Sequence, residues 1–232
     1  YRGPILEKTE GRTLLRKVPL DEPARSLLPA VAALCRDSML QRLVDYAGAR
    51  AAAPRFYLQA VLQQAGDGDD DPQTLLHADT FHPTVKAWLF LTDVALDAGP
   101  FTYVPGSHRL TAERLAWERR TSLGARSATD TYTREGSFRI DPGELGALGL
   151  PPPRALAVPA NSLVVADTFG FHARGRSLQP FLRVELWAIG RRNPFLPWTA
   201  LDTLVGGLGA VKRGEDHWST RTGSLFDPPP AR

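Results

Sequence analysis

Between residues 21 and 48 apolar side chains recur at helical spacing, with Leu27, Leu28, Val31 and Leu34 followed by Leu40, Leu43, Val44 and Ala47. Such a stripe predicts helices with one apolar face. Pro29 breaks the run, Asp37 or Ser38 re-caps it, and Gly48 suits its end. After this stretch the period shortens. Runs at 56–63, 85–92, 101–104, 163–166 and 181–189 read as strands separated by turns rich in Gly, Pro and Asp, so the body is expected to be mostly antiparallel β. Two brief helices interrupt it, one opening at Thr111 with Leu115 on its apolar side. The other opens at Asp141-Pro142, where a capping residue precedes proline at the first helical position.

Two of the predicted strands have faces that disagree. In the run 84–92 the odd positions Val85, Ala87, Leu89 and Leu91 are aliphatic, whereas Lys86, Trp88 and Phe90 occupy the even ones. Side chains alternate across a strand, so each set shares a face. The run 181–189 repeats the arrangement, with Leu182, Val184, Leu186 and Ala188 opposed by Phe181, Arg183, Glu185 and Trp187. A sheet packed on helices through its aliphatic face and lining a ligand cavity with the other would produce this pattern, and it would point Lys86 and Arg183 inward. A sheet whose mixed face merely meets water would produce it too.

The 232 residues are enough for one domain with a substantial core, and 43% apolar content is ordinary for a globular chain. The expected organisation is a single domain over 1–232: a helical part at 21–48, a β-core at about 56–192 and a C-terminal extension at 193–232. With 28 Lys+Arg against 25 Asp+Glu the net charge is only +3, and the basic residues are dispersed, so nucleic acid is not an expected partner. No apolar run is long enough to cross a bilayer and the first residues lack the apolar core of a signal peptide, so no membrane partner is expected and the expected location is the cytoplasm. The chain opens on Tyr1, so any preceding segment is unread. A single cysteine, Cys35, excludes zinc sites of the multi-cysteine kind and a disulfide framework.

What remains for metal chemistry is His77-Ala78-Asp79 with a distant His172. Two imidazoles and a carboxylate on one face of a metal leave open positions for a chelating cosubstrate and dioxygen, the arrangement suited to non-haem Fe(II). A lone His-x-Asp triplet recurs by chance. On a strand edge, however, His77 and Asp79 project from the same side, and His172 on another strand can complete the set in a jelly roll.

Through these residues the chain resembles the phytanoyl-CoA dioxygenase family of Fe(II)/2-oxoglutarate oxygenases, over residues 56–192 and most densely in HADTFHPTVKAWLFLTDVALDAGPFTYVPGSHR. The resemblance implies a mainly β fold, a double-stranded β-helix (jelly-roll, cupin-like) with helices packed on one sheet. It implies that His77, Asp79 and His172 hold Fe(II) and carry catalysis. It implies also that Arg183, eleven residues after His172, binds the far carboxylate of 2-oxoglutarate. Trp88 falls where some members place a tryptophan near the cosubstrate, and Gly99 with Pro105-Gly106-Ser107-His108 matches the family's Gly-to-PGSH segment. The chain departs from some members in having Arg174 where they carry a cosubstrate-binding serine, so Lys86, Thr102 and Ser177 are the replacement candidates for cosubstrate contact.

Because Asp79 is present where halogenating relatives carry alanine or glycine, hydroxylation is the expected chemistry. A small organic molecule or secondary metabolite, with dioxygen, would be converted with release of succinate and CO2. The competing readings are a cupin-like metalloenzyme without 2-oxoglutarate, against which Arg183 argues, and a non-catalytic barrel that binds a small molecule. His82 and His108 are expected to serve turns and His217 the surface. The segment 110–149 is expected to shape the substrate entrance.

Overall fold

The structure, a computed structural model, describes residues 5–48, 54–63, 71–191, 218–221 and 223–227. His217 and nearly all of the expected extension at 193–232 lie outside the described residues. In chain order the elements are β1 (Ile5–Glu10), β2 (Thr13–Pro19), α1 (Glu22–Leu27), α2 (Pro29–Cys35), α3 (Ser38–Ala47), β3 (Arg55–Gln63), β4 (Thr84–Phe90), β5 (Phe101–Tyr103), α4 (Ala112–Gly124), α5 (Thr131–Arg134), α6 (Pro142–Ala147), β6 (Arg154–Leu156), β7 (Ser162–Asp167), β8 (His172–Arg174), β9 (Phe181–Arg191) and β10 (Ser219–Arg221). Short 3-10 turns occupy Pro72–Thr74 and Ala125–Ser127.

The strands form a seven-stranded sheet in the order β10-β1-β2-β3-β9-β4-β7 and a three-stranded sheet in the order β6-β5-β8. Each pairing is antiparallel. The mainly β, jelly-roll reading of the sequence therefore stands. No helix among the described residues is long and apolar enough to cross a membrane.

Local chemistry accounts for the helical layer. The Asp21 carboxylate accepts from Ala24 N and starts α1, and Asp37 accepts from Met39 N and Leu40 N to start α3, which Gly48 ends. The apolar stripe of these helices, including Cys35, Leu40 and Val44, packs on Val85, Ala87, Leu186 and Ala188 of the large sheet. Each large aliphatic side chain buried in that layer contributes about 1.5–3 kcal/mol relative to exposure. On the opposite face Trp88, Phe90 and Phe101 form a second cluster between the sheets, joined at its edge by Trp187.

Two expectations are corrected. Leu115 is 55% exposed, and α4 instead buries Trp117 with Arg114 and Glu118. The Arg114 guanidinium lies 3.9 Å from the Phe171 ring centre and donates to Ser107 O and Phe169 O, so α4 is fixed by a cation over aromatic faces rather than by a leucine stripe. The second correction is the β1–β2 hairpin, which pattern reading did not find. β2 buries Leu14, Leu15, Arg16 and Lys17 in succession, so no period-2 alternation shows. The charges are tolerated because Arg16 Nε reaches Glu7 at 2.7 Å and the Lys17 ammonium sits 3.8 Å from the Trp218 ring centre.

Candidate metal centre and its cavity

His77 and His172 are joined directly by backbone. His77 N donates to His172 O and His172 N to His77 O, both at 2.9 Å, in an isolated antiparallel bridge. Residues that exchange both bonds put their side chains on the same side of the sheet, and the two imidazole centres stand 4.4 Å apart. The chain then turns so that Asp79, whose N donates to Thr168 O at 2.9 Å, brings its carboxylate to the same point. Asp79 Oδ1 lies 3.9 Å from His77 Nε2 and 3.7 Å from His172 Nε2. One donor atom from each residue falls within 4.8 Å of the others, a group able to hold a metal ion.

The electrostatics suit a cation. Leu75 O accepts from His77 Nδ1 at 2.7 Å and Gly170 O from His172 Nδ1 at 3.0 Å, which fixes the protons there and leaves both Nε2 lone pairs facing the centre. Burial pushes the His77 imidazole well below its ordinary range and His172 down to about 4, so both are neutral ligands. Burial alone would raise the Asp79 carboxyl. The Lys86 ammonium and the two imidazoles outweigh it and hold Asp79 far below the usual carboxylate range. Lys86 Nζ donates to Asp79 Oδ1 at 2.9 Å and stands 2.7 Å from Oδ2, so the carboxylate is held ionised from one side. Two neutral imidazole nitrogens beside an ionised carboxylate are a donor set that fits a divalent, oxygen- and nitrogen-loving metal.

The two imidazoles open onto a cavity of about 200 Å³. Its wall includes Lys86, Trp88, Phe90, Phe101 and Arg183 together with Lys8, Glu10, Leu15, Arg174, Trp187 and Trp218. The mixed faces of β4 and β9 therefore line it, and Trp88 packs on Phe101 with ring centres 4.6 Å apart. Arg183 is buried: NH1 donates to Gly99 O at 2.7 Å and Nε lies 2.8 Å from Glu185 Oε2 as an ion pair without hydrogen-bond alignment. Glu185, fully buried, accepts from Gln59 Nε2 at 2.7 Å across the β3–β9 register. Gly99 has φ +61, and a Cβ there would stand 2.9 Å from the Phe181 ring, so glycine is required both by backbone and by space.

Of the residues singled out in the sequence, His77, His172, Lys86, Trp88 and Arg183 line this cavity. Asp79 does not line it, but its carboxylate lies within 4.8 Å of a donor atom of each of the two lining imidazoles. Thr102 and Ser177 do not line it. Thr102 sits opposite Ala173 in the β5–β8 ladder, and the buried Ser177 hydroxyl donates to Gln179 O at 2.6 Å, away from the metal ligands. His82 forms a turn contact with Pro83 O. Trp187, on the mixed face expected to line a cavity, does so, whereas sequence reading missed Lys8, Glu10 and Gln59 as cavity residues.

Residues 6–145 match the family model described as phytanoyl-CoA dioxygenase (PhyH). The chain belongs to the phytanoyl-CoA dioxygenase family. As a member it is a non-haem iron and 2-oxoglutarate-dependent enzyme, in keeping with the His-Asp-His cluster. Among curated proteins none matches the chain. Among solved structures, the non-heme alpha ketoglutarate-dependent epimerase SnoN from nogalamycin biosynthesis is similar at 20% identity, with 85% of this chain and 75% of that chain covered and a TM-score of 0.50. HygX from Streptomyces hygroscopicus, with nickel and 2-oxoglutarate bound, is 19% identical over 81% of this chain and 72% of its own, with a TM-score of 0.47. At these identities the likeness speaks to the fold alone.

Proposed function

We propose that this phytanoyl-CoA dioxygenase family member hydroxylates a small organic molecule of the secondary-metabolite kind, with 2-oxoglutarate leaving as succinate and CO2. Iron with 2-oxoglutarate and dioxygen supplies the oxidising chemistry when bound. The side chains do the rest. His77, Asp79 and His172 would hold the metal through both Nε2 atoms and an aspartyl oxygen, and the carbonyls of Leu75 and Gly170 keep the imidazoles in the tautomer suited to it.

Arg183 receives the far carboxylate of the diacid with the N–H groups left over from Gly99 O and Glu185, a planar fork that pairs two oxygens at once. Trp88, Phe90 and Phe101 form the dry wall beside it and exclude water from the reacting atoms. Lys86 answers the charge of Asp79 from the side and keeps that carboxylate ionised at the metal position. This contact replaces the direct cosubstrate contact expected of Lys86 from the sequence.

The observation that carries the reading is the backbone bridge that sets two imidazoles beside Asp79 at one end of a cavity with Arg183 in its wall. The test is anaerobic addition of Fe(II) and 2-oxoglutarate to the purified chain, followed by air and a metabolite panel. A weak visible charge-transfer band, then succinate and a product heavier by one oxygen atom, are expected. Absence of any 2-oxoglutarate-dependent band with Fe(II) loaded would sink the reading and favour a metalloenzyme that does not use the diacid.

A further inference from the structure

The cations that face the cavity are already matched. Lys86 lies 2.7 Å from Asp79, Arg183 2.8 Å from Glu185, Arg174 2.7 Å from Asp71 and Lys8 2.7 Å from Glu10. The acceptors are matched in turn. Asp71 also takes Thr13 Oγ1 at 2.8 Å and Gln73 N at 2.9 Å, and Glu10 takes the Tyr132 hydroxyl at 2.6 Å. Most of these carboxylates are nearly or fully buried, so their partners cannot be released to water without stranding a charge.

These four ion pairs carry no net charge between them, and the buried Lys17 ammonium is screened from the cavity by the Trp187 and Trp218 rings, 5.3 and 3.8 Å from their centres. A divalent metal and a dianionic diacid entering together add nothing to that sum. Whatever binds next, beside the diacid, meets ring and aliphatic faces from Trp187, Trp218 and Leu15, and the amide of Gln73 as an uncharged polar group. Once the diacid has taken the N–H groups that Arg183 leaves over, a further carboxylate, phosphate or ammonium would have to pull one member out of an existing pair, and the loss of a buried partner weakens binding more than the new contact strengthens it.

We infer that the substrate of this cavity is uncharged in the part that enters it: a neutral, ring-bearing or aliphatic molecule with hydroxyl or amide groups, neither an acyl-CoA nor an amine. This rests on the proposed function, since it takes the metal and the diacid as the other occupants. The cavity's volume of about 200 Å³, shared with the diacid, limits the entering portion to about one ring or a short chain.

The experiment uses the full chain loaded with Ni(II) and 2-oxoglutarate, incubated with equal amounts of anionic, uncharged and cationic metabolites at about pH 7.5, where carboxylates and amines are ionised. Retained compounds are read by mass spectrometry after gel filtration. Enrichment of the uncharged third by about tenfold over either charged third is expected. Retention of anions or cations to an equal or greater degree overturns the inference, and so does retention of nothing.

Glu10→Gln removes the carboxylate that Lys8 meets at 2.7 Å and Arg174 at 3.9 Å, and Asp71→Asn removes the nearer partner of Arg174; each is expected to admit anionic compounds that the unaltered chain excludes. If either folded variant, checked by circular dichroism, keeps the original selection, charge matching is not what sorts the ligands. The two readings fail separately: 2-oxoglutarate that is retained equally without Ni(II) counts against the cosubstrate assignment, whereas the charge of the retained metabolites bears on the inference alone.

Discussion

Val85, Ala87, Leu186 and Ala188 look toward the helical layer, while Lys86, Trp88 and Arg183, each one residue away on the same two strands, line the cavity, with Glu185 on the same face behind Arg183. The first set is apolar throughout and fills a dry layer. The second carries two charges of one sign and a third of the other within a face that is just as enclosed, with Arg183 6% and Glu185 0% exposed. The lesson is that burial alone does not separate core from site. What separates them is whether the buried group has its partner inside the protein or reserves some of its bonding capacity for something that arrives.

The sharpest way to break this comparison is at the ligand carboxylate. Asp79→Ala is expected to lower 2-oxoglutarate-dependent succinate formation by at least about a thousandfold while far-ultraviolet circular dichroism is retained, because a catalytic metal with a missing ligand is neither held nor oriented. On the other face Leu186→Ala should cost about 2–5 kcal/mol of unfolding free energy through lost burial and a cavity, with the KM for 2-oxoglutarate within about twofold of the parent. Denaturant titration and steady-state kinetics on the same preparation would check this. A large change in KM would show that the two faces are not independent.

Arg183→Lys tests the cavity face more gently. The ammonium keeps the charge but loses the fork, so the KM for 2-oxoglutarate should rise by about ten- to a hundredfold with kcat changed much less. An unchanged KM would place the diacid elsewhere.

The smallest expected effect is on pH dependence of the metal-free protein. His172 has a pKa of about 4 in the folded chain because it is buried, against an ordinary 6.5, and His77 is displaced in the same direction. The folded state then binds fewer protons than the unfolded chain between those values. Stability is complete above about pH 6.5 and declines as the pH falls toward about 4, measurable as a falling denaturation midpoint. A midpoint that stays level through this window would mean that the imidazoles are protonated in place.

Much of this was legible in the sequence, and for reasons that differ by residue. The helices at the start were readable because Asp21, Asp37 and Gly48 are strong local signals that the tertiary structure leaves intact. The inward parity of Lys86 and Arg183 was readable because a strand admits only two faces. The β1–β2 hairpin was hidden because Arg16 and Lys17 are buried through partners on β1 and beside β10, which no local window contains. Leu115 was misread because Arg114, set over Phe171, takes the inward position that a hydrophobic period assigns to a leucine.

Thr102 and Ser177 were nominated as replacements for a cosubstrate-binding serine; Thr102 instead takes its place in the β5–β8 ladder, and the Ser177 hydroxyl donates to Gln179 O. The charge-matched rim was out of reach for a similar reason. Its pairs join positions as distant as Asp71 and Arg174.

The reciprocal peptide bonds between His77 and His172 tie ion capture to strand alignment. Sliding either segment by a single position would swing its imidazole to the reverse side and separate the two nitrogens by the thickness of the sheet. An ion held by both imidazoles would therefore act as a clasp that closes only on the right alignment and ties together chain segments nearly a hundred residues apart.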